Sequence, residues 1–89
     1  MPIERVRLVN KLGLHARAAS RLVSLASEFS CEVWLSRDQR RVNAKSIMGV
    51  LLLAAPCGTE LELECSGPDE DQAMAALRAL IADRFGESA

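Results

Sequence analysis

Residues 59–66 read Thr-Glu-Leu-Glu-Leu-Glu-Cys-Ser, and this strict alternation constrains the fold more than any other stretch. Glu60, Glu62 and Glu64 fall on one side, and Leu61, Leu63 and Cys65 on the other. A period of two is the mark of a strand, and a row of carboxylates along one face requires water there. The sheet containing this strand must therefore be open on one face and packed on the other.

The remaining patterns agree with such a sheet. Ile3 to Val9 interleaves Val6 and Leu8 with Arg5 and Arg7, which predicts a first strand with one wet face. Ala16 to Phe29 follows helical spacing, with Ala19, Leu22, Val23, Ala26 and Phe29 on the apolar side. Glu32 to Ser36 is a second strand, in which Val33 and Leu35 flank an oppositely directed Trp34. Arg37-Asp38-Gln39-Arg40 reads as a hairpin turn into a short third strand around Val42.

A short apolar helix is expected over Ile47 to Ala54, ended by Pro56 and Gly58, with Val50, Leu53 and Ala54 as its better core residues. After Gly67-Pro68, Asp69 is expected to cap a last helix, with Gln72 completing a variant of the capping box. Ala73, Met74, Leu77, Leu80 and Ile81 form the buried stripe of that helix, and Gly86 ends it. The order is β-α-β-β-α-β-α. This is an α+β open-faced sandwich: a four-stranded antiparallel sheet with three helices on one face.

At 89 residues the chain is expected to form one domain over 1–89, with 86–89 as a short tail. A chain of this size buries only about two-thirds of the surface it exposes when unfolded, so its core must be tight. The formal net charge is −1, which removes the electrostatic footprint of a general nucleic-acid binder. Ile47 to Ala55, the longest apolar stretch, is far shorter than the roughly 20 residues of a membrane span. The opening Met1-Pro2-Ile3-Glu4-Arg5 holds no apolar run of the signal-peptide kind, so a cytoplasmic location without membrane insertion is expected.

Cys31, Cys57 and Cys65 are an odd set without a close pair, and no C-x-x-C pattern occurs. With His15 they number four possible zinc ligands, but structural zinc sites bring ligands in closely spaced pairs. No metal is expected. The cysteines read as small hydrophobes in the core or at its edge.

The single histidine stands where chemistry can use it. His15 directly precedes the first amphipathic helix, in Asn10-Lys11-Leu12-Gly13-Leu14-His15-Ala16-Arg17, and occupies the capping position that Ser, Thr, Asp or Asn normally fills. The positive end of the helix dipole disfavours an imidazolium there and leaves a neutral ring with a nitrogen lone pair. The same helix end can receive a phosphoryl group. Arg17, in the first turn, carries a planar guanidinium suited to phosphate oxygens, and a cation there calls for an anion to offset the dipole. On these residues alone His15 is equally readable as a surface histidine that begins a helix.

Ser46 precedes Ile47 at the start of the short helix, where its hydroxyl can cap; capping alone would explain it, and a phosphate there would also be tolerated. Ile47, Met48 and Leu51 lie on a helix too short to bury every apolar residue, so they are expected to form a docking patch or else to join the core. Arg37, Arg40 and Arg41 read as a solvated hairpin, because no aromatic residues are interleaved with them for base stacking.

Gly13-Leu14-His15-Ala16-Arg17 and Ala44-Lys45-Ser46-Ile47-Met48-Gly49, at their separation, resemble the two motifs of the phosphocarrier (HPr) family of the bacterial phosphoenolpyruvate-dependent phosphotransferase system. The resemblance covers essentially the whole chain and implies the same β-α-β-β-α-β-α order. It implies that enzyme I transfers phosphate from phosphoenolpyruvate to a ring nitrogen of His15, pros or tele. Delivery to enzyme IIA or another enzyme II component follows, with Arg17 stabilising the phosphate. It further implies regulatory phosphorylation of Ser46 by an HPr kinase/phosphorylase, partner contacts through Ala16, Ser20, Ile47, Met48 and Leu51, a monomer, and no cofactor.

Two departures bear on the branch. Ala18 stands where sugar-type members often have proline, as in the nitrogen-regulatory paralogue NPr, which passes phosphate to a regulatory enzyme IIA. Ser24, Ser27 and Gly49 stand where sugar-type members of enteric bacteria carry basic residues. Two other classes fail on the residues themselves. A hydrolase using His15 as base needs a nearby nucleophile and orienting acid, which the local sequence lacks. A nucleic-acid module needs aromatic residues on the open face, where only Trp34 stands, opposite a row of glutamates.

Overall fold

The computed structural model describes residues 2–89. Its elements are β1 (Ile3–Arg7), α1 (Ala16–Ala26), β2 (Glu32–Arg37), β3 (Arg40–Asn43), α2 (Ile47–Leu52), β4 (Glu60–Ser66) and α3 (Glu70–Ala82), followed by a 3-10 turn over Arg84–Gly86. The alternating strand β4 lies inside the sheet, whose order is β1-β4-β2-β3 with every pairing antiparallel. This is the open-faced sandwich expected from the alternation.

Register follows from hydrophobicity. Val6 stands opposite Leu61, Leu35 opposite Leu63, and Val33 opposite Cys65, all buried on the helix-covered face. A slip of one residue would turn every one of them to water. On the open face the glutamates meet cations: Arg7 lies 3.7 Å from Glu60, and Arg41 lies 3.3 Å from Glu64 while its guanidinium stacks 4.0 Å above the Trp34 ring. Glu4 points inward at the sheet's edge, where Arg78 of α3 meets it at 2.6 Å.

Several local expectations are corrected. Helix α1 ends at Ala26 rather than Phe29, because the amides of Glu28 and Phe29 tighten onto the carbonyls three residues back. Ala18, absent from the expected stripe, is fully buried, whereas Val23 and Phe29 are half-buried. Helix α2 ends at Leu52, and Ala54 is exposed at φ +48° while Ala55 takes the core position.

Asp69 precedes α3 but its side chain makes no cap bond. Its carboxylate instead accepts from the backbone amides of Ser30 and Cys31, both at 2.8 Å, and Glu70 accepts from Gly67 N–H at 3.0 Å. The amides entering β2 lack strand partners and outcompete the helix for this carboxylate, which is held below the usual carboxylate range chiefly by the Ser30 bond.

Helix α3 stops at Ala82, before Gly86. Arg84, Phe85 and Gly86 then turn back at φ +57°, +54° and +78°, which drives Phe85 into the core at 1% exposure. Phe85 is the largest fully buried side chain. Cys31 and Cys65 are also buried, and burial pushes the Cys65 thiol up to about 11. Cys57, expected at the core or its edge, is exposed.

Candidate functional site: a histidine at a helix start

The loop from β1 to α1 is built around Asn10 and Gly13. Gly13 adopts φ +66°, and a Cβ there would lie 2.4 Å from the carbonyl oxygen of Ala55, so only glycine fits. Leu14 N–H donates to that same carbonyl at 2.9 Å, and Leu14 is buried. These contacts set His15 at the N-cap of α1, in extended conformation, with its carbonyl accepting from Ala19 N–H at 2.8 Å.

The ring of His15 makes no cap bond of its own. Its Nε2 lies 2.5 Å from Oε2 of Glu87, a residue in the segment beyond the last helix. Glu87 Oε1 in turn accepts from Asn10 Nδ2 at 3.0 Å, and Asn10 is wholly buried. These bonds hold the Glu87 carboxyl below its ordinary value, that from Asn10 most strongly, then that from His15, with the Arg17 charge adding to them. An ionised carboxylate only accepts, so Nε2 carries a hydrogen, and in the neutral form of the ring the lone pair stands on Nδ1.

Around the ring lies a shallow depression lined by Lys11, Leu12, Ala16, Arg17, Arg21 and Glu87, among others. Ala16, Arg17 and Ser20 are exposed, and the first turn of α1 contains no acidic residue. The first amides of a helix lack intrahelical partners, so this corner offers N–H donors, a positive dipole end and a guanidinium beside a basic nitrogen. Arg21 donates to the carbonyl of Phe85 and so fastens the turn that carries Glu87.

The second expected site is separate in its construction. Ser46 is exposed and caps α2, its Oγ accepting from Gly49 N–H at 3.2 Å. Of the expected patch, Met48 is 67% exposed and Ile47 38%, but Leu51 is half-buried against the core. Leu52, 59% exposed, takes its place. The hairpin arginines are not merely solvated: Arg37 Nη1 donates to the carbonyls of Leu53 and Ala54, and Arg40 Nη1 to that of Leu52. They occupy the carbonyls at the end of a helix whose last turn has no basic residue of its own. Among the described residues no cluster of three metal-ligating side chains exists.

The sequence singled out His15, Arg17 and Ser46 as candidates but not Asn10 or Glu87, which the fold brings to the ring of His15. Asn10 carried one faint signal, a polar residue just after an alternating strand, and nothing local marked Glu87.

A four-stranded open sheet with a lone histidine at a helix start, flanked by arginine and free amides, defines a protein that can hold a phosphoryl group on nitrogen. Residues 3–83 match the family model described as "PTS HPr component phosphorylation site". The chain belongs to the HPr family of the phosphotransferase system. It is 59% identical over 80 residues to the phosphocarrier protein HPr of Cupriavidus necator, covering 90% of each chain. It is 51% identical over 84 residues to that of Neisseria meningitidis, covering 94% of each. The crystal structure of HPr-C-His from Thermoanaerobacter tengcongensis is 43% identical and superimposes with a TM-score of 0.96 over 100% of both chains. The shared name of these relatives does not favour the nitrogen-type alternative.

Proposed function

We propose that the chain takes a phosphoryl group from phospho-enzyme I onto His15 and passes it to an enzyme II component in the cytoplasm. The observation that carries this reading is the placement of His15: its Nδ1 has no partner among the described residues at the start of α1, while Nε2 is held by Glu87. A phosphoryl group on nitrogen is easily passed on, whereas on serine it would be too inert for a relay. Transfer requires in-line approach and charge stabilisation rather than covalent work by further residues. Partner docking supplies the approach; Arg17 and the amides of α1 supply the charge. The chain is a carrier rather than an enzyme, since it is itself the species modified.

Ser46 is the regulatory site in this reading, modified by an HPr kinase/phosphorylase. Ala16, Ser20, Ile47 and Met48, with Leu52, are the partner contacts.

Incubation with enzyme I and labelled phosphoenolpyruvate tests the core claim. The label should be acid-labile and base-stable, and His15→Ala should take up none. Undiminished label on His15→Ala, at any residue, would refute it.

A further inference from the structure

Asn10 is the one buried polar residue among those described; its side-chain nitrogen is fully committed, while its Oδ1 finds no partner among the described residues. Nδ2 donates to the Gly13 carbonyl at 2.7 Å and to Glu87 Oε1 at 3.0 Å. The first bond fixes the amide's orientation, because a flipped amide would set its oxygen against the Gly13 carbonyl. Whatever stands at position 87 must therefore present an acceptor to Asn10. The second oxygen of Glu87 meets His15 Nε2 at 2.5 Å. Two acceptors, one toward each partner, are what a carboxylate supplies and an amide cannot.

We propose that Glu87 is a positioning residue for phosphoryl transfer: anchored by Asn10, it keeps the proton of His15 on Nε2 and presents Nδ1 as the nucleophile. This rests on the carrier reading above. In the transfer step the Nδ1 lone pair forms the new N–P bond. The bond between phosphorus and the donor atom of phospho-enzyme I breaks, and its electron pair returns to that atom. The Nε2 proton stays where it is. His15 thereby gains positive charge, which the carboxylate beside Nε2 stabilises. Glu87 touches neither phosphorus nor its oxygens and acts only through the ring. The same arrangement explains why a buried asparagine sits behind an exposed loop: it orders a side chain that reaches the site from the far end of the sequence.

Glu87→Gln separates this role from a merely structural one. Asn10 still demands an oxygen, so the new amide must turn its NH2 toward His15. An NH2 group only donates, so Nε2 becomes the lone-pair nitrogen and the proton moves to Nδ1. In protein with 15N-labelled histidine, at a pH where the ring is neutral, the protonated-nitrogen resonance should move from Nε2 in wild type to Nδ1 in Glu87→Gln. Phosphorylation by enzyme I and phosphoenolpyruvate should slow roughly tenfold or more. Glu87→Ala, which imposes neither tautomer, should give a mixture and an intermediate rate. Position 87 lies outside the core, and amide spectra of the sheet check that both variants keep their fold. A Glu87→Gln variant that keeps the wild-type tautomer, or that takes up label at the wild-type rate, overturns the proposal. Wild type that takes no label overturns the carrier reading instead, and the tautomer of each variant still shows whether Glu87 sets the ring.

Discussion

Lys45 Nζ donates to the backbone carbonyl of Phe29 at 2.7 Å, which ties the residue before Ser46 to the turn that ends α1. The start of α2 is therefore anchored, and a charge added at Ser46 acts on a helix that is held in place. A phosphate or carboxylate there lies favourably on its own helix end and unfavourably beside a partner that binds Arg17. Ser46→Asp should slow phosphorylation of His15 by enzyme I by roughly an order of magnitude at low salt. The effect should shrink as salt rises and screens the repulsion. The thermal midpoint should not fall. A marked loss of midpoint, or an unchanged rate, would reduce Ser46 to a helix cap.

Arg17 is exposed and finds no acceptor within hydrogen-bond distance among the described residues. Arg17→Ala should cost less than about 0.5 kcal/mol of stability yet slow transfer on the order of tenfold to a hundredfold. Arg17→Lys should recover part of the rate, since it keeps the charge and loses the fork. Stopped transfer assays with purified enzyme I read both variants. Equal rates for all three proteins would remove Arg17 from the site.

Phe85 links stability to the site. Truncating it to alanine empties a core position and should cost about 3–5 kcal/mol, read by urea unfolding. The turn it anchors also carries Glu87, so His15 in Phe85→Ala should show the same mixed tautomers as Glu87→Ala. Loss of stability with an unaltered ring would show that Arg21 and Asn10 suffice to hold the segment.

Asp69 makes acid stability a second readout. Its carboxyl is depressed by the amides of Ser30 and Cys31, so it stabilises the fold above its ordinary value of 3.8. That contribution disappears as pH falls below this value and the native carboxylate takes up its proton. Asp69→Asn should melt lower than wild type at neutral pH and lose less on acidification, with the two melting curves converging at the acid end. Parallel pH profiles would mean that the Ser30 and Cys31 bonds contribute little.

The fold was legible wherever the pattern was local and repetitive. Leu61, Leu63 and Cys65 declared β4 and its buried face, and Ala73, Met74, Leu77 and Ile81 declared α3, because one-sided burial imprints its period on the chain. What escaped depends on partners distant in sequence. Phe85 lies past the periodic stretch and enters the core through left-handed residues that no helical count anticipates. Asp69 looked like a cap because the nearest amides were those of α3, but the fold brings those of Ser30 and Cys31 closer.

The site divides in the same way. His15 and Arg17 announced themselves by standing at a helix start, where a cap and an acid are expected. Asn10 and Glu87 are 77 positions apart, and only the packing of the turn after α3 against α1 and the loop before it brings them to one ring. Leu51, expected in the patch or else in the core, packs on the core and Leu52 is exposed instead, because a helix of 6 residues leaves its facing ambiguous until the sheet chooses for it.

The bonds from Arg37 and Arg40 to the end of α2 bear on how long a complex can last. A six-residue helix is marginal by itself, and one that ordered only on contact would weaken every encounter. Held by Lys45 at its start and by two arginines at its end, α2 presents Met48 and Leu52 already arranged. Specific recognition can then rest on a small contact area, with fast arrival and equally fast release. For a shuttle that must leave one partner before it meets the next, brief residence is the useful property, and this stiff little helix makes it compatible with selectivity.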